Sequence, residues 1–473
     1  MVFNSLHFVW FFLVVYAAYR VLPHRAQNWL LLIASYYFYA SWDWRFLGLL
    51  LASTLVDFSC ALLLERAATP ARRRTLLVVS LAFNLTQLGF FKYFNFFSDN
   101  LHTLFATLGW QLDFVTLRVL LPVGISFYTF VTMSYVIDVY RRETPATRNL
   151  LDFAVFVAFF PHLVAGPILR ASTLLSQIAR PRHVSRDQLR DGAWLIAWGY
   201  FQKVFVADNL ASLANTVFEP GTTHTGVNVL LGLYAFAFQI YGDFAGYSNI
   251  ARGTSKLMGI ELIENFRFPY LVRTPQEFWR NWHISLSTWL RDYLYIPLGG
   301  SRGTEWQTRR NLFATMVLGG LWHGAAWTFV LWGVYQGALL IAYRAASTAR
   351  AYRRLFVEAS PLAKVATWAL MFHLTCYGWL IFRSRSANQI ATLTASLLTD
   401  FAPGSIETER LLIPLLLYST PLLLVHACEA WFDDGLIVPK LSAGVRYSLY
   451  AATFYLTMLF GNFGGAEFIY FQF

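Results

Sequence analysis

Charge is scarce in this chain of 473 residues: Asp, Glu, Lys and Arg together make up 13% of it, about half the ~25% of an ordinary soluble domain. That scarcity excludes a cytosolic globular enzyme. With 57% hydrophobic and 18% aromatic residues, disorder is excluded as well. Cysteine is equally thin. Cys60, Cys376 and Cys428 stand too far apart for a disulfide framework or a zinc-ligand spacing. A phosphate-cradling Gly-rich loop, a Gly-x-Ser-x-Gly elbow, paired metal-ligand histidines on one helix and a Cys–His pair are all missing. What remains in excess is positive charge, 37 Lys and Arg against 26 Asp and Glu. Divided among long apolar runs, these cations form no single basic face for nucleic acid. In a chain of mean hydropathy +0.46 they read as cytoplasmic loops held by the positive-inside rule. The composition predicts a polytopic membrane protein.

A membrane span needs about 20 mostly apolar residues. The runs 2–19, 26–42, 75–91, 119–137, 365–382, 411–428 and 447–466 qualify, and 46–64 does so with Asp57 inside it. The stretches 192–206 and 220–242 are further candidates. The first run lacks a basic flank and a small-residue cleavage site, so it reads as a retained helix rather than a signal peptide. Arg66, Arg72, Arg73 and Arg74 place the loop after the third helix in the cytoplasm. Counting from there puts the N-terminus outside and Arg141, Arg142 and Arg148 inside. A simple crossing by 153–169 would then leave Arg170, Arg180, Arg182, Arg186 and Arg190 outside. Pro161, Gly166 and Pro167 interrupt that segment, so a re-entrant element is expected. Irregular backbone at membrane depth survives only beside protein or a water-filled cavity. Residues 311–343 carry no formal charge and would span about 50 Å as a helix. A broken hairpin with its irregular part near 319–324 is the economical expectation. No internal repeat and no appended soluble domain is visible. The expected architecture is all-α, a single membrane domain over 1–473 with about eleven transmembrane helices plus re-entrant and interfacial ones.

Five of the ten histidines, His7, His24, His102, His183 and His224, fall at segment ends or in loops. His323 does not. It lies within the charge-free run beside Gly319, Gly320, Trp322 and Gly324, and an ionisable group inside a span is a functional hypothesis by default. The bland alternative is a neutral imidazole bonded to a helix carbonyl, the reading given to His373 and His426. His283 sits in the stretch 278–300, where Trp279, Trp282, Leu286 and Trp289 share a helical stripe and Arg280, Ser287 and Arg291 share another face. An interfacial tryptophan-belt helix explains the tryptophans. It explains less well why Arg280, Asn281, His283, Ser285, Arg291 and Asp292 crowd together, which suits a polar wall receiving an anionic donor from the cytoplasm. In 239–249, Asp243 stands beside Tyr241, Gly242 and Gly246. It reads either as a helix end breaking at those glycines or as a carboxylate that orients a histidine or pairs with a nearby arginine. The stretches 122–130 and 160–167, the latter with His162, look like helix breaks lining a cavity.

Together these stretches resemble the membrane-bound O-acyltransferase (MBOAT) family, with the alginate O-acetylase membrane subunit as the nearest branch. The resemblance is carried by 1–5, 30–39, 91–95, 121–128, 135–140, 160–167, 277–300, 318–323 and 468–473. It covers nearly the whole chain and is weakest over about 383–446. The block Trp282-His-Ile-Ser-Leu-Ser-Thr-Trp289 followed by Leu-Arg-Asp-Tyr-Leu-Tyr is its most specific part. Gly242, Ala245 and Asn249 depart from the alginate-type pattern and leave the acceptor polymer open.

The resemblance implies a multi-helix fold around a tunnel joining the two membrane faces, with His323 at the family's catalytic position and His283 as the second tunnel histidine. It further implies an acetyl thioester donor, acetyl-CoA or an acyl-carrier thioester, no tightly bound cofactor and no metal. Other implied elements are a polysaccharide acceptor, a periplasmic esterase-like acetyltransferase partner, surrounding membrane lipids and residence in a bacterial inner membrane. His323 would act as general base, or carry the acyl group as an acyl-imidazole, and His283 would hold the thioester carbonyl or steady the oxyanion. Asp243 or a backbone carbonyl would fix the imidazole tautomer. Tyr241, Arg280, Asn281, Ser285, Trp289, Arg291, Asp292 and Trp322 would line the tunnel. The competing expectations are a transporter or flippase using a midplane histidine relay, and a scaffold subunit without chemistry.

Overall fold

The computed structural model describes residues 1–110, 117–164, 166–349, 352, 356, 359–402, 406–464 and 468–469. Among them there is helix and irregular backbone, and no strand. The helices begin where the sequence supplies caps. Ser5 Oγ accepts from Phe8 N ahead of α1 (Leu6–Val21). Thr69 and Ser360 do the same before helices that open on a proline, whose missing N–H is no loss at that position. Six helical segments among the described residues are long and apolar enough to cross a membrane. His24–Arg66 and Pro70–Thr107, at 43 and 38 residues, are each more than one span long. The protein is an all-helical, multi-pass membrane protein.

Contacts divide the chain into two compact units, Met1–Leu189 with Thr254–Ile263, and Arg190–Gly253 with Glu264–Phe473. In the first, α2 (His24–Asp43), α3 (Leu47–Arg66), α4 (Pro70–Leu88), α5 (Phe94–Thr107) and α6 (Ile125–Arg141) follow α1. Asp57 shows how a carboxylate sits inside an apolar run: Ser80 Oγ and Asn84 Nδ2 both donate to it, and Thr132 Oγ1 donates to Asn84 Oδ1. The buried polar group is thus satisfied from two neighbouring helices. The expected break at 153–169 is present. Helix α7 (Leu150–Ala158) stops at Phe159, a single turn α8 (Phe160–Leu163) follows, and α9 (Ala171–Ile178) resumes after Pro167. The freed backbone finds partners within the unit, with Phe160 N donating to Ser35 Oγ at 3.0 Å and His162 Nε2 hydrogen-bonding Phe156 O at 2.9 Å.

The second unit is built on α10 (Arg186–Tyr200), which passes through a π-helical stretch Phe201–Ala207 into α11 (Asp208–Phe218). Beside it runs α12 (Gly226–Leu257). Here the structure corrects one alternative: α12 does not end at Gly242 or Gly246 but passes straight through them. Those glycines allow close approach instead. A Cβ on Gly246 would lie 2.7 Å from Gly199 O, one on Gly199 the same distance from Gly246 O, and one on Gly253 only 2.6 Å from Gly192 O. Small residues at such a seam let two membrane helices touch backbone to backbone.

Short helices α13 (Pro275–Asn281) and α14 (Ile284–Leu290) precede the hairpin of α15 (Glu305–His323) and α16 (Trp327–Ala346). The chain continues in α17 (Pro361–Arg383), α18 (Ala387–Thr399), α19 (Ile406–Trp431) and α20 (Ala443–Phe460). The hairpin break falls at 324–326, at the end of the stretch expected to hold it. Helix α19 turns Leu411, Leu415, Leu422 and His426 inward and leaves Ile413 and Leu424 65% and 67% exposed. An apolar outer face of that kind is what hydrocarbon surroundings require.

Candidate active site

Helix α15 is secured by a reciprocal cap in which Thr304 Oγ1 accepts from Gln307 N and Gln307 Oε1 accepts from Thr304 N. It ends on His323, because Gly324 is fully extended. Across the hairpin, Gly320 and Gly333 face each other so closely that a Cβ on Gly320 would lie 2.9 Å from Gly333 Cα. This approach delivers Trp332 to the histidine. The His323 ring, 3% exposed as a residue, stands edge-on to Trp332 at 5.0 Å, to Trp322 at 5.1 Å and to Phe382 at 5.6 Å. Three elements, α15, α16 and α17, therefore fix one imidazole with aromatic faces.

His283 arrives from a different direction. The helical stripe expected through Trp279, Trp282, Leu286 and Trp289 is interrupted by a break: α13 ends, His283 takes φ 44°, ψ 53°, and α14 begins. The tryptophan stripe is accordingly not an interfacial belt, for Trp279, Trp282 and Trp289 are all buried. A left-handed non-glycine residue costs roughly 1–2 kcal/mol, and such strain clusters at functional sites. Asn265 holds the break in place. Its backbone carbonyl accepts from Ile284 N at 3.0 Å, and its Oδ1 accepts from Ser285 N at 3.1 Å and Ser285 Oγ at 2.9 Å. Asn265 thereby caps α14 from outside, a task that the His283 side chain does not perform. The His283 ring is fully buried, edge-on to Phe244 at 4.6 Å, 3.5 Å from Ser285 Oγ through Nδ1, and 6.4 Å from the His323 ring, centre to centre.

The remaining expected residues sort themselves around this pair. Trp322 contacts both imidazoles, at 6.1 Å from His283. Tyr241 lies behind Trp282, ring centres 6.4 Å apart, and its hydroxyl hydrogen-bonds His426 Nε2 at 3.0 Å. His426 is thus a buried, hydrogen-bonded packing histidine, whereas His373, bonded to Tyr234 at 2.6 Å, is exposed. Asn281 supports the break, its Nδ2 donating to Glu277 O and its carbonyl accepting from Arg267 N. Arg280 and Arg291 line a cavity of about 530 Å³ together with Gln276, Trp279, Ser287 and Thr288. Arg291 also pairs with Asp292 at 2.6 Å, and Trp289 packs on Tyr293 at 5.1 Å. Trp279, one of the residues lining that cavity, also packs on Trp332 at 5.8 Å, the ring that meets His323 edge-on.

Asp243 differs from its expected role. It neither orients a histidine nor pairs with an arginine of 277–300. Its Oδ1 lies 2.7 Å from Lys203 Nζ, and its Oδ2 accepts from Ile469 N at 2.7 Å. Lys203 also reaches Asp208 at 2.7 Å. Lys203 and Asn265 are the polar residues that sequence reasoning passed over. A lone cation inside the apolar run 192–206 was the available signal for the first. Nothing local marks the second, whose partners are 20 residues away. Among the described residues no group of three His, Cys, Asp or Glu could hold a metal ion.

Two buried imidazoles thus stand side by side, walled by aromatic rings. The sequence model of the membrane-bound O-acyltransferase family matches residues 71–382, a stretch that includes Lys203, Asp243, His283 and His323. Over 392 residues, 82% of this chain and 76% of the relative, the sequence is 45% identical to the probable alginate O-acetylase AlgI of Azotobacter vinelandii. It is 46% identical over 388 residues, 82% of this chain and 72% of the relative, to the probable alginate O-acetylase AlgI of Pseudomonas aeruginosa. The peptidoglycan O-acetyltransferase of Helicobacter pylori is 35% identical over 419 residues, 82% of this chain and 77% of that protein. The chain belongs to the membrane-bound O-acyltransferase family. It is an acyltransferase.

Proposed function

We propose that this protein passes an acetyl group from a cytoplasmic thioester, carried by coenzyme A or an acyl carrier, to a hydroxyl that reaches the same centre from the other face of a bacterial inner membrane. The product serves O-acetylation of an exported polysaccharide, alginate being the acceptor that the relatives' names favour. The observation that carries the reading is the pairing of His283 and His323 at 6.4 Å inside a buried, ring-walled setting.

In this reaction His323 takes the proton of the acceptor hydroxyl as the oxygen attacks the thioester carbonyl, a role worth about 10²–10⁴-fold. The carbonyl oxygen gains charge in the tetrahedral intermediate, and a donor from His283 stabilises it. Collapse breaks the carbon–sulfur bond, and the thiolate leaves with the proton that His323 had taken. Arg280 and Arg291 hold the anionic donor in the adjoining cavity. An esterase-like partner on the outer side then takes the acetyl group to the polymer. The N-terminus lies on that outer side, and residues 1–473 act as one membrane domain. Proteoliposomes with labelled acetyl thioester outside and a hydroxyl acceptor inside test the reading. With correctly oriented protein, label accumulates on the enclosed acceptor. Acceptor acetylated only when both substrates share one compartment would overturn the crossing.

A further inference from the structure

The buried ion cluster on the far side of Phe244 has no part in the proposed chemistry. Lys203, in the π-helical stretch Phe201–Ala207, lies 2.7 Å from both Asp208 Oδ1 and Asp243 Oδ1. All three side chains are buried. A cluster like this is costly to desolvate and weak as a source of stability, so its position asks for another explanation. The second oxygen of Asp243 supplies one. It accepts the backbone N–H of Ile469 at 2.7 Å, and so anchors a distant part of the chain to α12. The residue before that anchor, Phe468, is buried against Tyr247 at 4.3 Å and Phe244 at 5.7 Å. Phe244 is in turn the ring that meets His283 edge-on at 4.6 Å. An unbroken series therefore leads from the ion cluster through Ile469, Phe468 and Phe244 to the second histidine.

We propose that Lys203 and Asp243 are positioning residues whose ion pair clamps the backbone at Ile469, so that Phe468 and Phe244 hold the His283 ring in its working orientation. The inference rests on the assignment of His283 and His323 as the acyl-transfer centre. The pair acts through geometry alone and touches no substrate. The Lys203 ammonium, 2.7 Å away, aims the Asp243 carboxylate. The carboxylate in turn gives the 468–469 backbone a charge-assisted bond, stronger than a neutral one.

A double-mutant cycle tests the clamp. Asp243→Asn removes the charge, and Ile469→Pro removes the N–H that the carboxylate accepts. Each single variant is expected to lower kcat by about 10- to 100-fold, the range for a reacting group displaced by up to ~1 Å. KM for the thioester should stay within about twofold. Because both changes act on the same bond, the double variant should lose little more than either single one. Losses that multiply, or wild-type kcat in Ile469→Pro, would overturn the proposal. Should Asp243→Asn fail to fold, Ile469→Pro and Phe468→Ala carry the test, each expected to reduce kcat at constant KM. A rise in KM with kcat intact would contradict it. His323→Ala is measured alongside. If that variant remains active, the assignment of the centre has failed; if it is inactive while the cycle is additive, only the clamp has.

Discussion

Gly319 and Gly320 are neighbours on α15, yet the same change should have opposite consequences at the two. A Cβ on Gly319 meets only the tip of Leu290, Cδ1 at 3.1 Å, and a side-chain end can rotate away. A Cβ on Gly320 meets Phe329 O together with Gly333 Cα and N, both at 2.9 Å, and backbone cannot rotate away. Carbon atoms rest at about 3.5–4.0 Å, so Gly320→Ala must push α16 outward by roughly 0.6–1 Å. Trp332, next to Gly333 and 5.0 Å from the His323 ring, moves with it. Overpacking costs about 1–3 kcal/mol and is partly offset by the ~1 kcal/mol that alanine gains over glycine in a helix. The net loss of stability should thus be small, about 0–2 kcal/mol. The loss of rate should not be small: about 10- to 100-fold for a displacement of this size. Gly319→Ala should keep wild-type kcat, with a melting temperature equal to or above it. Purified variants in detergent, assayed for acetyl release from the thioester and for thermal unfolding, give both numbers. Wild-type kcat in Gly320→Ala, or equal damage from the two substitutions, would refute the idea that this seam sets the position of His323.

Three other outcomes follow from the geometry. His283→Gly removes a left-handed strain of about 1–2 kcal/mol along with the ring, so turnover should fall at least about 10²-fold while the melting temperature holds; unfolding instead would make ring packing its main role. Asn265→Ala leaves Ser285 N–H and Oγ–H without their acceptor and should cost about 1–3 kcal/mol, read as a lower melting temperature. An unchanged value would show that α14 needs no outside cap. Arg280→Ala and Arg291→Ala should each raise KM for a phosphate-bearing thioester about two- to fivefold, as expected for solvent-screened charges, and salt should shrink the difference. A short uncharged thioester should show no change, and equal effects on both donors would deny the arginines an electrostatic role.

Much of this was legible in the sequence, because membrane insertion writes itself as long apolar runs and as the placement of arginines. The break at 159–163 could be read from Pro161 and Pro167, and the hairpin from a charge-free run too long for one crossing. His323 stood out as an imidazole within a charge-free run flanked by glycines, and His283 by the polar residues crowded around it. What stayed hidden depended on contacts between distant segments. Gly242 and Gly246 have the composition of a helix end, and only the facing Gly199 shows that they are a helix seam. The tryptophan stripe of 279–289 has helical spacing, but the left-handed turn at His283 is imposed by Asn265, which no local pattern connects to it. Asp243 looked like a partner for a histidine or an arginine. Its true partner, Lys203, lies 40 positions away on a neighbouring helix.

The most direct test of the account is single-turnover acetyl transfer by His323→Ala and His323→Gln, measured beside their thermal stability. Both variants should melt within a few degrees of the parent and transfer acetyl at least about 10²-fold more slowly, with thioester binding retained. Transfer at the parental rate from either folded variant would contradict the claim that this imidazole moves the proton.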